Sequence, residues 1–135
     1  MKNYRCIWII LVLLVISSCL NRQFIDGRAE LVSVSDTLLN DSSLIFGYIY
    51  GVDEINKASY PHYENEFEIW IENSKLRATI DKTGYYFIKT KPGTYSVKCQ
   101  RPSNEWDTLI EEIKNIEIGK NKKTQIDFYI GYTIE

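Results

Sequence analysis

Histidine occurs once in the 135 residues, and cysteine and proline occur three times each. With His62 as the sole imidazole, a Ser-His-Asp triad has one possible base, and no serine sits in a nucleophile-elbow sequence. Zinc needs three or four converging His, Cys or carboxylate ligands. His62, Glu64 and Glu66 are the nearest such group, but glutamates alternating into a strand read as its solvated face. The same holds for Glu66 and Glu68 as a glycosidase-type carboxylate pair. Asp53, Glu54, Asn56 and Asn65 offer oxygen to calcium without EF-hand spacing. Cys99 closes Tyr95-Ser-Val-Lys-Cys, where alternation makes it a small buried hydrophobe rather than a nucleophile. The expectation is a protein that is not an enzyme and holds no metal or other cofactor.

Positive charge is also scarce. Sixteen basic residues face eighteen acidic ones, and removal of residues 1–18 would leave fourteen against eighteen. A polyanion binder needs a basic face to displace counterions from phosphates. The one concentrated cluster, Lys120, Lys122 and Lys123, reads as the solvated lysines of a hairpin loop, so no nucleic-acid partner is expected.

What is present begins with an address. Lys2 and Arg5 precede an uncharged run from Cys6 that ends in Ile16-Ser17-Ser18-Cys19. A basic start, a short apolar core and small residues before a cleavage point form an export signal. A retained span needs about twenty apolar residues, and this run turns polar at Ser17. The Ile-Ser-Ser-Cys ending resembles the lipobox of bacterial lipoproteins, which implies cleavage before Cys19 and diacylglyceryl and palmitate-type lipidation of its sulfur. Residues 1–18 are then the signal peptide, and Cys19 ties the rest to a membrane of the bacterial cell envelope. Leu20, not an acidic residue, follows the cysteine, which favours the outer over the inner membrane where both exist.

Residues 19–43 read as the lipidated cysteine and a polar tether, since a stretch with little apolar periodicity cannot offset its ordering entropy by burial. Within it Ala29-Glu-Leu-Val-Ser-Val34 alternates enough for a short strand. Asp36-Thr37-Leu38 and Asp107-Thr108-Leu109 resemble an O-glycosylation acceptor pattern of some exported bacterial proteins. From Leu44 to Glu135 the period is two, with turn signals every eight to twelve or so positions. Strands are expected from Leu44 to Gly51, around Phe67, Ile69 and Ile71, over Lys75–Ile80, Tyr85–Thr90, Thr94–Gln100, Ile113–Ile118 and Thr124–Gly131. Asp81-Lys-Thr-Gly84 supplies a tight turn. Ser103–Lys114 has apolar residues near helical spacing and fits a crossover loop equally well. The fold class is therefore all-β, a roughly seven-stranded antiparallel β-sandwich.

Four features in order, Phe46-Gly47 to Gly51, Asp81/Gly84/Phe87, Pro92-Gly93-Thr94-Tyr95 and Ile126-Asp-Phe128-Tyr-Ile130, resemble the carboxypeptidase regulatory-like domain. The resemblance covers about residues 44–131 and implies a transthyretin-like sandwich without a catalytic set. The long connection Asp53–Asn65 departs from that family's shorter, Gly-rich turn.

Tyr48, Tyr50, Tyr60, Tyr63, Trp70, Tyr85, Tyr86, Trp106, Tyr129 and Tyr132 are more rings than one sandwich needs inside. Alternation puts Phe46, Tyr48 and Tyr50 on one face of a strand, and Trp70 opposite Ile69 and Ile71, so some rings lie outside. The candidate binding surface is Tyr60, His62, Tyr63, Trp70 and Trp106. Exposed rings anchor protein partners or stack on sugars. The function expected is an envelope interaction or accessory module with an unidentified envelope protein as partner. The alternative is a carbohydrate-binding, starch-binding-like lipoprotein that takes a glycan.

Overall fold

Alternation in one central strand organises the molecule. In β3 (Ser43–Val52), Ser43, Ile45, Gly47, Ile49 and Gly51 are buried, while Leu44, Phe46, Tyr48 and Tyr50 occupy the other side. β-Branched and aromatic residues on both sides suit a pleated strand between two neighbours. The structure is a computed structural model that describes residues 23–52, 59–61, 67–101 and 110–134. Among the described residues every regular element is a strand.

The other strands are β1 (Gln23–Ile25), β2 (Arg28–Asp36), β4 (Ser59–Pro61), β5 (Glu68–Ile71), β6 (Thr79–Ile80), β7 (Tyr85–Thr90), β8 (Gly93–Gln100), β9 (Ile110–Ile118), β10 (Lys122–Ile130) and β11 (Tyr132–Ile134). Four of the eleven have two or three residues, which leaves seven longer ones. They form a large sheet in the order β2-β10-β3-β7-β6 with β4 also on β3, a small sheet β5-β8-β9, and a two-stranded ladder β1-β11. Ile45, Ile49, Tyr86, Ile88, Ile126 and Phe128 of the large sheet meet Ile69, Ile71, Val97, Cys99, Ile116 and Ile118 of the small one in a single core. The fold is an all-β sandwich, as the period of two requires.

Several local features differ from the sequence reading. One ladder, β3 with β10, is parallel, and it brings the first long strand of the 44–135 segment beside its last. The alternation at Ala29–Val34 extends to nine residues of β2, which pairs with β10, so much of the 19–43 segment is part of the large sheet. Strand β2 lies at that sheet's edge with Leu31, Val32 and Val34 exposed, so little of its apolar area enters the core. The turn at Gly119–Asn121 links β9 and β10 across the two sheets and is not a paired hairpin, because Ile116, Ile118, Ile126 and Phe128 turn their side chains to the same interior. Ile110–Lys114 is strand, not helix, and residues 102–109 lie outside the described residues. Lys75–Ile80 keeps only β6 and a bridge between Arg77 and Trp70.

The Asp81 turn forms as its residues demand. The carboxylate of Asp81 accepts from Thr83 N (2.7 Å), Thr83 Oγ1 (2.7 Å) and Tyr85 N (3.1 Å), and Gly84 has φ 78°. Positive φ there is nearly free only for glycine. The hydroxyl and amide of Thr83 hold the Asp81 carboxyl below the usual carboxylate range.

Candidate functional site

The two outer faces of the sandwich differ in chemistry. On the small sheet, Trp70, Lys98 and Glu112 lie side by side across β5, β8 and β9. Lys98 Nζ is 2.6 Å from Glu72 and 3.7 Å from Glu112, which also pairs with Lys114 at 2.8 Å. The hydrogen bond to Glu72 raises the Lys98 pKa, and the one from Lys114 lowers that of Glu112. Arg77 lies 5.9 Å over the Trp70 ring. This face is already neutralised within itself.

The outer face of the large sheet carries rings instead. Register fixes their order in rows across the strands. The first row is Arg28 of β2, Tyr129 of β10 and Tyr50 of β3; the second is Glu30, Asp127, Tyr48 and Tyr85 of β7; the third is Ser33, Gln125, Phe46, Phe87 and Thr79 of β6. Tyr50 stacks on Tyr129 with centroids 5.1 Å apart and 19° between planes, and Tyr48 meets Tyr85 edge-on at 5.4 Å. Phe46 lies 6.3 Å from Tyr85, and Phe87 6.5 Å from it. The Arg28 guanidinium caps the series 3.8 Å above the Tyr129 ring. Each contact is worth about 0.5–1.5 kcal/mol beyond burial. The cluster nonetheless stays open to solvent, with Phe87 43% exposed and every other ring part-exposed.

Beneath the rings Asp127 is buried. The β3–β10 ladder is interrupted between Gln125/Phe46 and Phe128/Ile49, and the Asp127 carboxylate fills the gap by accepting from Tyr48 N at 3.0 Å. Gln125 Nε2 donates to both carboxylate oxygens at 3.3 Å. Burial, then the Asp127 charge and the neighbouring phenols, push the Tyr50 hydroxyl above the ordinary phenol range. The arrangement is a fixed, ring-paved platform with hydroxyls and one guanidinium at its margin. Platforms of this type bind through apolar area while satisfying hydrogen bonds at the rim.

Of the residues expected to form a binding surface, Trp70 is part-buried on the charged face, away from this platform. Tyr60 lies in β4, its backbone paired with Gly51. His62, Tyr63 and Trp106 lie outside the described residues, as do Cys19, Glu64, Glu66 and the calcium-type donors Asp53, Glu54, Asn56 and Asn65. Among the described residues no three His, Cys, Asp or Glu side chains come together as a metal site. Cys99 is fully buried, and burial raises its thiol far above the range in which a thiolate forms. None of the platform residues Arg28, Phe46, Tyr48, Tyr50, Tyr85, Phe87 and Tyr129 belongs to the expected surface. The usable signal is parity, since the rings alternate with buried positions along β3, β7 and β10.

No family model matches the chain, and no curated protein matches it.

Proposed function

We propose that this chain is a lipid-anchored, non-enzymatic recognition module of a bacterial cell envelope, tied to the membrane through Cys19 and binding through the aromatic outer face of its large sheet. The likeness to carboxypeptidase regulatory-like domains belongs to the same proposal; a formed Asp81–Gly84 turn and a sandwich architecture support it. The observation that carries the reading is the contiguous set Phe46, Tyr48, Tyr50, Tyr85, Phe87 and Tyr129 on a face that no described element covers. Hydrophobic area of this kind, rimmed by polar groups, marks interaction surfaces.

Two arms test it. Radiolabelled palmitate should enter the wild-type protein and not Cys19→Ala. Serine replacements at Tyr48, Tyr85 and Phe87 should abolish capture of an envelope partner, whereas Lys98→Ser with Glu112→Ser on the opposite face should retain it. Equal capture by both variants overturns the platform as the recognition surface.

Carbohydrate binding is the second reading. It is favoured by rings whose cross-strand neighbours, Gln125 beside Phe46 and Thr79 beside Phe87, can hydrogen-bond sugar hydroxyls beside a stacked pyranose. A glycan array separates the two: retention of one polysaccharide class by the wild type and not by Tyr48→Ser would establish it, and no retention on any glycan would exclude it.

A further inference from the structure

We infer that the first row of the platform, Arg28, Tyr129 and Tyr50, rests on the lipid headgroups of the membrane that holds the anchor. The inference rests on acylation of Cys19 and assigns a partner to one end of the face described above.

Chain length keeps these residues within reach of a membrane that holds Cys19. Ile25 pairs with Tyr132 and Arg28 with Tyr129, so β1–β11 continues the register of β2–β10. Residues 23–36 and 122–134 are thus one antiparallel ribbon, interrupted around Asp26 and Gly27 and bulged at Val32. The N-terminal segment enters that ribbon at Gln23, four residues after Cys19. Four residues in any conformation span at most about 14 Å. The first row lies five residues further along the ribbon, about 17 Å. An acyl chain on Cys19 therefore holds Arg28 within about 30 Å of its own sulfur. No long spacer separates the domain from the bilayer.

The chemistry at this end suits an interface. Tyrosine rings with an apolar body and a polar tip settle at the headgroup boundary. A guanidinium lying flat on a ring turns its N–H edge outward, where phosphate can compete with the Glu30 carboxylate 3.7 Å from Nε and take two hydrogen bonds. Of the acids around Arg28, Asp127 is buried and hydrogen-bonded, Glu30 lies 3.7 Å from Arg28 itself, and Asp26 is exposed two residues away. On the opposite face Lys98 and Lys114 are already paired with Glu72 and Glu112. One guanidinium and two rings would not hold a free protein on a bilayer. Tethered by a few residues, they act at an effective concentration of roughly millimolar, where weak contact suffices.

The test uses full-length acylated protein in phosphatidylethanolamine vesicles containing phosphatidylglycerol with brominated acyl chains. Cys99 is buried, so a cysteine introduced as Glu30→Cys takes a fluorophore selectively. Glu117→Cys, on the small sheet's outer side, is the control. Bromine quenching several-fold stronger at position 30 than at 117, and lost when Arg28→Glu is added, is the expected result. Arg28 is surface-exposed, so its reversal leaves the fold intact, and Tyr129→Ser provides a second variant without a charge change. Equal quenching at both positions, or quenching at 30 that survives both variants, overturns the docking while the palmitate on Cys19 remains. Absence of palmitate overturns the anchoring itself, and the docking with it.

Discussion

Gly47 decides how three strands meet. It faces the core opposite Tyr86, and a Cβ there would collide with the Ile126 carbonyl. The space it leaves lets the Tyr86 hydroxyl, fully buried, donate to Ile126 O at 2.7 Å. That carbonyl lies where the β3–β10 ladder is interrupted, so a side chain supplies its partner. Removing the donor leaves a buried acceptor unpaired, which costs about 1–2 kcal/mol. Tyr86→Phe should lower the free energy of unfolding by that amount in urea titration with an unchanged slope. Gly47→Ala should cost more, because backbone rather than a flexible side chain must move. The platform rings would stay in place in the first case and shift in the second. Which of the adjacent tyrosines lies inside was legible from parity, since Tyr86 and Ile88 share a face and Tyr85 and Phe87 the other. The hydrogen bond was not legible, because it depends on a parallel neighbour seventy-nine positions away in the pairing Thr124–Ile45.

Strand β9 shows how an element can carry a charge inward. Its inner face ends in Ile116 and Ile118, but near its start that face presents Glu111, which is buried. Gly27 makes room for this side chain, since a Cβ there would meet Glu111 Oε1 and the Tyr129 carbonyl. The Glu111 carboxylate accepts a hydrogen bond from the Gly131 backbone and so ties the small sheet to the ribbon at its break. Desolvation raises the Glu111 pKa, the Gly131 bond opposes that, and Asp26 adds to it. A folded pKa above the unfolded value near 4.5 means that the neutral acid is favoured in the folded state. The resulting stability is complete below that value and is lost as pH rises through the folded pKa. Glu111→Gln should therefore melt closer to the same temperature at about pH 5 and pH 8 than the wild type does, with its gain over wild type on the alkaline side. Asp81 and Glu112, whose pKa values are lowered, act in the opposite sense and are common to both proteins, so the difference between the two curves isolates Glu111. A wild-type curve parallel to that of the variant would remove this role. The sequence concealed the element because Leu109, Ile110 and Ile113 also satisfy helical spacing, and only the β8 ladder decides between the two.

At the scale of the whole molecule, stability is unevenly shared. The core is made by β3, β5, β7, β8, β9 and β10, while Ala29 is the one β2 residue packed against it. Leu31, Val32 and Val34 are 46%, 47% and 53% exposed, and β2 has hydrogen-bonded neighbours on one side only. An element held mainly by a single ladder opens locally before the whole unfolds. Native-state hydrogen exchange should find the amides of residues 28–36 opening at a free energy a few kcal/mol below those of residues 44–50, with β10 following β3 because it is paired on both sides. Equal protection of β2 and β3 would show the ribbon to be part of one cooperative unit. The consequence reaches the anchor proposed at Cys19. With β2 docked, the span between Cys19 and folded structure is at most about 14 Å; with β2 released, residues 19–42 could extend to about 80 Å. The weak apolar periodicity that makes this segment read as a tether goes with the shallow burial that leaves β2 weakly held.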